Sequence, residues 1–248
     1  MHIAVTEEAI LLVVKFRIGG SSRFLSHAET LRVFQRACVR AGIELQYTQG
    51  FNPHPKMSLP LPRSVGVESD DELLCLKVRG CRTTANQSMP SESCFDAEVF
   101  KAELSKHLPD GFELLSATIS KTDAAFYPYL VTYVLPVREE YFNEELKERA
   151  KQLLASESIN VTRQLDAKGL KFKNIDVRDF LKSIVINDSC IVVECKITPR
   201  GSIRVEEILK LLSLDMEKLA GPIRRTSVQW QETDDGRQMT EYGRGTND

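Results

Sequence analysis

The apolar positions of this chain follow two successive rounds of strand and helix periods. Ala9–Ile18 (AILLVVKFRI) is apolar nearly throughout and then alternates, the pattern of a central strand. Gly19, Gly20, Ser21 and Ser22 end it. Leu31, Phe34, Cys38 and Ala41 recur at steps of three and four, which puts them on one face of a helix. Ser26 and Glu29 have the spacing of a capping box at its start, and Gly42 supplies its stop. Glu44–Thr48 and Lys56–Leu61 are expected as short strands around a loop, and Glu72–Val78 as a clearer one. A polar, turn-rich loop at Gly80–Glu92 leads to a helix over Ala97–Leu108, ended by Pro109-Asp110-Gly111, and to an alternating strand at Phe112–Ser120. This order is that of a split βαβ, or ferredoxin-like, unit.

The second round repeats the order without residue-level identity. Tyr127–Val137 reads as a strand, and Phe142, Leu146, Ala150, Leu153 and Leu154 mark a helix. Ile159–Leu165 is an extended piece broken at Lys168-Gly169, and Val177–Leu181 fits neither period. Ser183–Asn187 and Cys190–Thr198 form a hairpin pattern about Asp188-Ser189. Val205–Leu212 follows as a helix and Arg224–Trp230 as the last strand. The expected fold is therefore α+β, with two tandem ferredoxin-like (βαββαβ) halves packed together. The expected domains are 8–122 and 125–232, with a disordered polar C-terminal tail at 233–248.

At 248 residues, 42% hydrophobic and 27% charged, the chain has ample length to bury a core without staples. Its net charge of −2 excludes a global basic field. The charge is unevenly placed, however. Residues 1–66 hold Lys15, Arg17, Arg23, Arg32, Arg36, Arg40, Lys56 and Arg63 against only Glu7, Glu8, Glu29 and Glu44. Neither a signal peptide nor an apolar run of membrane-spanning length is present, so a cytoplasmic protein with no membrane association is expected. The cysteines Cys38, Cys75, Cys81, Cys94, Cys190 and Cys195 make no C-x-x-C pair and no zinc or cluster spacing. They read as reduced core thiols, and neither metal nor cofactor is expected.

The candidate chemistry lies in residues 23–58, where segments rich in His, Arg, Gly and Pro bracket the first helix. Arg17, Arg23 and Lys56 suit an anion clamp, and the free amides at the helix start after Ser26 favour negative charge. Gly50 permits close approach of the backbone to a ligand, and Phe51 offers a ring on which a base can stack. The alternative is structural: Phe51 in the core, Arg23 capping a carbonyl, Gly50 a plain turn. His27 and His54 are candidates to divide acid–base work if they share a pocket. As metal ligands they lack an evident third partner, since His107 sits at the end of another helix. Arg200-Gly201-Ser202 before a helix is a second, weaker phosphate-cradle pattern, and Arg224-Arg225 near Trp230 suggests a basic, stacking surface.

Three stretches carry a resemblance. They are Arg23-Phe24-Leu25-Ser26-His27, then Gln49-Gly50-Phe51-Asn52-Pro53-His54-Pro55-Lys56, and Ser58 with Leu61-Pro62 and Gly66-Val67-Glu68-Ser69. Together they resemble a bacterial domain of unknown function, the radical-SAM-linked or DUF2344 family. Tyr47 and Gly50 fit its pattern, Thr48 replaces a Ser, and Arg63-Ser64-Val65 modifies a Pro-Leu-Gly run. Ile175-Asp176-Val177-Arg178 and Gly201-Ser202-Ile203-Arg204 match more loosely. The resemblance implies a partner of a radical-SAM enzyme, fused to it or encoded beside it. This chain lacks the C-x-x-x-C-x-x-C triplet of such an enzyme, so it would be the separate partner. The expected function is a non-catalytic accessory or substrate-binding module that presents RNA, tRNA or rRNA, to that enzyme. Its contacts would be Arg17, Arg23, Ser26, His27, Gly50, Phe51, His54, Lys56 and Ser58. Two alternatives are a metal-independent RNA-processing nuclease using His27 and His54, and a protein-interaction subunit that binds no nucleic acid.

Overall fold

The computed structural model describes residues 9–79, 95–164 and 171–233. They form a mixed α+β structure with four α-helices among the described residues. Two compact units are distinguished. One holds the described residues up to Val65, those of Asp71–Tyr127, and the described end of the chain from Glu232; the other holds Gly66–Asp70 and the described residues of Pro128–Gln231.

The first unit is built, in chain order, from β1 (Ala9–Ile18), α1 (His27–Arg40), β2 (Met57–Ser58), β3 (Glu68–Arg79), α2 (Ala97–Ser105) and β4 (Phe112–Ser120). The strands lie in the order β4-β1-β3-β2, and the first residues of β3 count with the second unit. β1 lies between β3 and antiparallel β4, and Leu11–Val14 are all buried, so the sequence shows an apolar run instead of an alternation. Phe34 on α1 fills the space over the sheet, its ring edge-on to Phe16 at 4.8 Å and to Phe112 at 5.5 Å. Ala37 and Cys38 complete the buried face of α1, against a core that includes Leu74, Leu76 and Leu104.

The second unit is built from β5 (Ala125–Pro136), α3 (Glu144–Ala155), β6 (Asn160–Gln164), β7 (Phe172–Asp176), β8 (Leu181–Ile186), β9 (Cys190–Lys196), α4 (Val205–Leu211) and β10 (Arg224–Thr233), the first residues of β5 and the last of β10 counting with the first unit. Its strand order is β10-β5-β9-β8, with β6 and β7 forming a separate antiparallel pair. The start of β3 joins β10 in parallel through Glu68 with Arg224 and Ser69 with Arg225. Arg163 on β6 grips Glu207 on α4 through two hydrogen bonds of 2.6 and 2.8 Å. Arg178 closes the end of α3, donating to the carbonyls of Leu154 and Ser156.

Several expectations shift. Glu44–Thr48 is no strand but two isolated bridges, Leu45 with Val78 and Tyr47 with Pro55. Lys56–Leu61 shrinks to the two residues of β2. Val177–Leu181 is a 3-10 turn at Arg178–Phe180 leading into β8. The expected loop at Gly80–Glu92, the break at Lys168-Gly169 and the tail after Thr233 lie outside the described residues.

Candidate nucleic-acid interface

The bracketing segments fold into two distinct devices, a pinned turn and a projecting arm. The turn follows β1 as a 3-10 helix over Gly20–Phe24. It is held from below: the Gly19 amide donates to the Gly111 carbonyl at 2.9 Å, and buried Ser22 donates to the Asp110 carbonyl at 2.7 Å. Arg23 donates back to the Gly20 carbonyl at 2.8 Å and lies over the exposed Phe24 ring at 4.5 Å. Arg63 locks the turn from the far side, donating to the carbonyls of Arg23 at 2.7 Å and Leu25 at 3.0 Å. Nothing in the sequence pattern singled out Arg63 for this part, because the contact joins residues 40 apart.

Ser26 then caps α1. Its Oγ accepts from the Glu29 amide while the Glu29 carboxylate accepts from the Ser26 amide at 2.8 Å, the full capping box. The hydroxyl and amide of Ser26 hold the Glu29 carboxyl below the usual range, with Arg32 adding a smaller attraction. The helix-start amides are therefore already partly satisfied from within.

His27 opens α1 and lines a narrow cleft with Phe16, Thr30, Leu59, Arg63 and buried Glu72. The cleft's free volume of about 10 Å³ is no more than one water molecule needs. His54 is not among its lining residues and is exposed on the arm.

The arm spans the residues between Glu44 and β2. Paired backbone bonds rise along it: Gln46 amide to Lys77 carbonyl, Lys56 amide to Gln46 carbonyl, and Thr48 amide to His54 carbonyl. The His54 amide also donates to Thr48 Oγ1 at 2.9 Å. Gly50 turns the tip at φ +124°, a conformation L side chains rarely adopt. Phe51 beside it is wholly exposed, at 111% of its reference area, and Tyr47 on the stem is 43% exposed. Both rings therefore face solvent, where the structural alternative would have buried Phe51. Lys56 and Ser58 are exposed at the base, and no side-chain partner of Lys56 occurs among the described residues.

The cationic candidates do not converge equally. Arg17 on β1 is engaged by Glu113 at 3.0 Å, and Arg23 is held in its own turn, whereas Gly50, Phe51, His54 and Lys56 share the arm. The weaker patterns of the second unit are spent on structure. Arg200 pairs with Asp179 at 3.4 Å, the Gly201 amide bonds the Thr198 carbonyl, and the Arg204 amide bonds Glu207. Arg225 is 1% exposed and Arg224 pairs with Glu68 at 3.0 Å, so no basic surface of that pair forms near Trp230. The buried thiols of Cys38 and Cys195 and the partly buried thiol of Cys75 are each pushed up to about 12 by loss of solvent. No group of three metal-ligating side chains occurs among the described residues. No helix of the described residues is long and apolar enough to cross a membrane.

What fold and surface define is an α+β protein that presents an aromatic loop from a rigid base. The chain belongs to the DUF2344 family, described as an uncharacterized protein conserved in bacteria, whose model matches residues 12–210. Among curated proteins none matches. Among solved structures it is similar to the acetolactate synthase small subunit from Thermotoga maritima, at 10% identity and a TM-score of 0.27, over 91% of this chain and 98% of that one. At that level the likeness carries neither fold nor function.

Proposed function

We propose that this protein is a non-catalytic substrate-binding module that holds RNA, of the tRNA or rRNA kind, for a separate radical-SAM enzyme. The observation that carries the RNA part is the arm: a fully solvated Phe51 at its tip, a half-exposed Tyr47 on its stem and an exposed Lys56 at its base. A soluble protein gains nothing in stability from a ring held entirely in water, whereas unstacked bases bind such rings and a nearby ammonium binds the phosphate. The enzyme partner rests on the family resemblance alone. The nuclease alternative has less support, because His27 lines a cleft that His54 does not line.

The fold reading that goes with this proposal is two tandem ferredoxin-like halves over 8–122 and 125–232. It is supported by the strand order within each, fourth-first-third-second in both β4-β1-β3-β2 and β10-β5-β9-β8. Residues 66–70 group with the second unit and so cross that boundary.

Binding of the full chain to bulk tRNA and to rRNA fragments, with Phe51→Ala beside wild type, tests the proposal. Saturable binding weakened roughly tenfold or more by the substitution is expected, since stacking contributes about 1–3 kcal/mol per base. Absence of binding at low salt would overturn it.

A further inference from the structure

α1 has an outer face that the bracketing motifs do not use. Arg32, Arg36 and Arg40 recur at every fourth residue and are all exposed. At a rise of 1.5 Å per residue they form a row with steps of about 6 Å. None of the three side chains has a hydrogen bond or ion pair among the described residues. The acidic side chain on the same helix, Glu29, is turned back to the cap, where its carboxylate accepts from the amide and hydroxyl of Ser26. Exposed Val39 lies between two of the arginines in sequence and is 65% exposed. On the opposite face of α1, Phe34, Ala37 and Cys38 are wholly buried, which turns the arginine row to solvent.

The three guanidiniums make no ion pair among the described residues, Arg32 reaching Glu29 only through a weaker, longer-range attraction. Exposed helix faces usually intersperse acids four residues from such cations, which stabilises the helix. Here the positions four residues before Arg36 and Arg40 are themselves arginines, and like charges at that spacing are destabilising. A regular, linear cation row matches a regular, linear polyanion.

We infer that the outer face of α1 is a rail for the sugar–phosphate backbone of an RNA strand, with Arg32, Arg36 and Arg40 each contacting a phosphate. The inference deepens the proposed function and rests on it: the arm stacks bases, and the rail supplies the sequence-independent electrostatic hold that Arg17 and Arg23, engaged elsewhere, do not. An acidic protein segment is the competing occupant.

The test is the salt dependence of binding of a mixed-sequence single-stranded RNA oligonucleotide to the full chain. Wild type is compared with the triple variant Arg32→Gln/Arg36→Gln/Arg40→Gln, the corresponding triple Lys variant, and Phe51→Ala. Three lost phosphate contacts should flatten the slope of log K against log salt by about 2, at roughly 0.7 per contact for a single strand. The triple Lys variant should keep the slope, and Phe51→Ala should lower affinity while leaving the slope alone. A triple Gln variant that remains folded by thermal melting and binds with the wild-type slope overturns the rail but leaves the RNA-binding module standing. If wild type binds no RNA, both fall. Binding of polyglutamate that the triple Gln variant abolishes, with RNA binding untouched, would assign the face to an acidic partner instead.

Discussion

At the scale of single residues, the site is held by contacts that span long stretches of sequence. Gly111 is the sharpest case. Its φ is +90°, and a β-carbon there would meet the Gly19 carbonyl oxygen at 2.4 Å, so neither backbone can yield without breaking the bond that supports the Arg23 turn. Gly111→Ala should cost about 2 kcal/mol or more in urea unfolding. Gly50 has nothing within 4 Å, so Gly50→Ala meets no clash and strains only the arm tip through its φ of +124°, with a smaller loss in urea unfolding than Gly111→Ala. The buried thiols give a second check. With values near 12, Cys38, Cys75 and Cys195 are almost wholly protonated at pH 8; iodoacetamide should label buried Cys38 and Cys195 only after unfolding, and partly buried Cys75 slowly. Rapid native labelling of Cys38 and Cys195 would contradict their burial. The sequence shows residue types, not such pairings, which is why Arg63 and the spent state of Arg17 and Arg225 were not legible in it.

Elements with strong periods were legible; those made of polar backbone pairing were not. β1 has the bounds its apolar run suggests, and the cap of α1 follows from Ser26 and Glu29. β7 escaped because Phe172, Lys173, Asn174 and Asp176 are exposed and carry no buried alternation; pairing with β6 alone makes it a strand. The arm was legible as two short strands about a loop, but its mostly exposed residues give no buried alternation, and isolated bridges and the two residues of β2 stand in their place. Ser26→Ala should destabilise the protein by about 1 kcal/mol in denaturant unfolding, the usual worth of such a cap. Glu29 adds a pH dependence of known sign. Its folded value lies below its ordinary 4.5, so its contribution is present above that range and is lost as pH falls through the folded value. The stability difference between wild type and Glu29→Gln should thus close in acid. In the second unit, Glu207→Ala would remove the carboxylate from the mostly buried Arg163 guanidinium, leaving it only the Ser202 carbonyl, and should cost roughly 3 kcal/mol. Burial works to raise the Glu207 carboxyl, but the bonds from Arg163 and the Arg204 amide prevail and lower it.

For the molecule as a whole, the two rounds of strand and helix periods anticipated an α+β structure, and the motifs of residues 23–69 anticipated the family. A net charge of −2 hides a locally basic first section, and only the structure separates its engaged cations from its free ones. Arg17 and Arg23 belong to the scaffold's own contacts; Lys56 and the α1 arginines face solvent. On this account RNA binding is local to one section of the chain and falls with salt.

The most direct measurement is ultraviolet cross-linking of the full chain to tRNA and rRNA fragments, followed by mapping of the modified peptides. The account predicts cross-links concentrated in the arm, at Tyr47 and Phe51, that disappear at high salt. Cross-links spread over the second unit with none in the arm, or none at all, would contradict it.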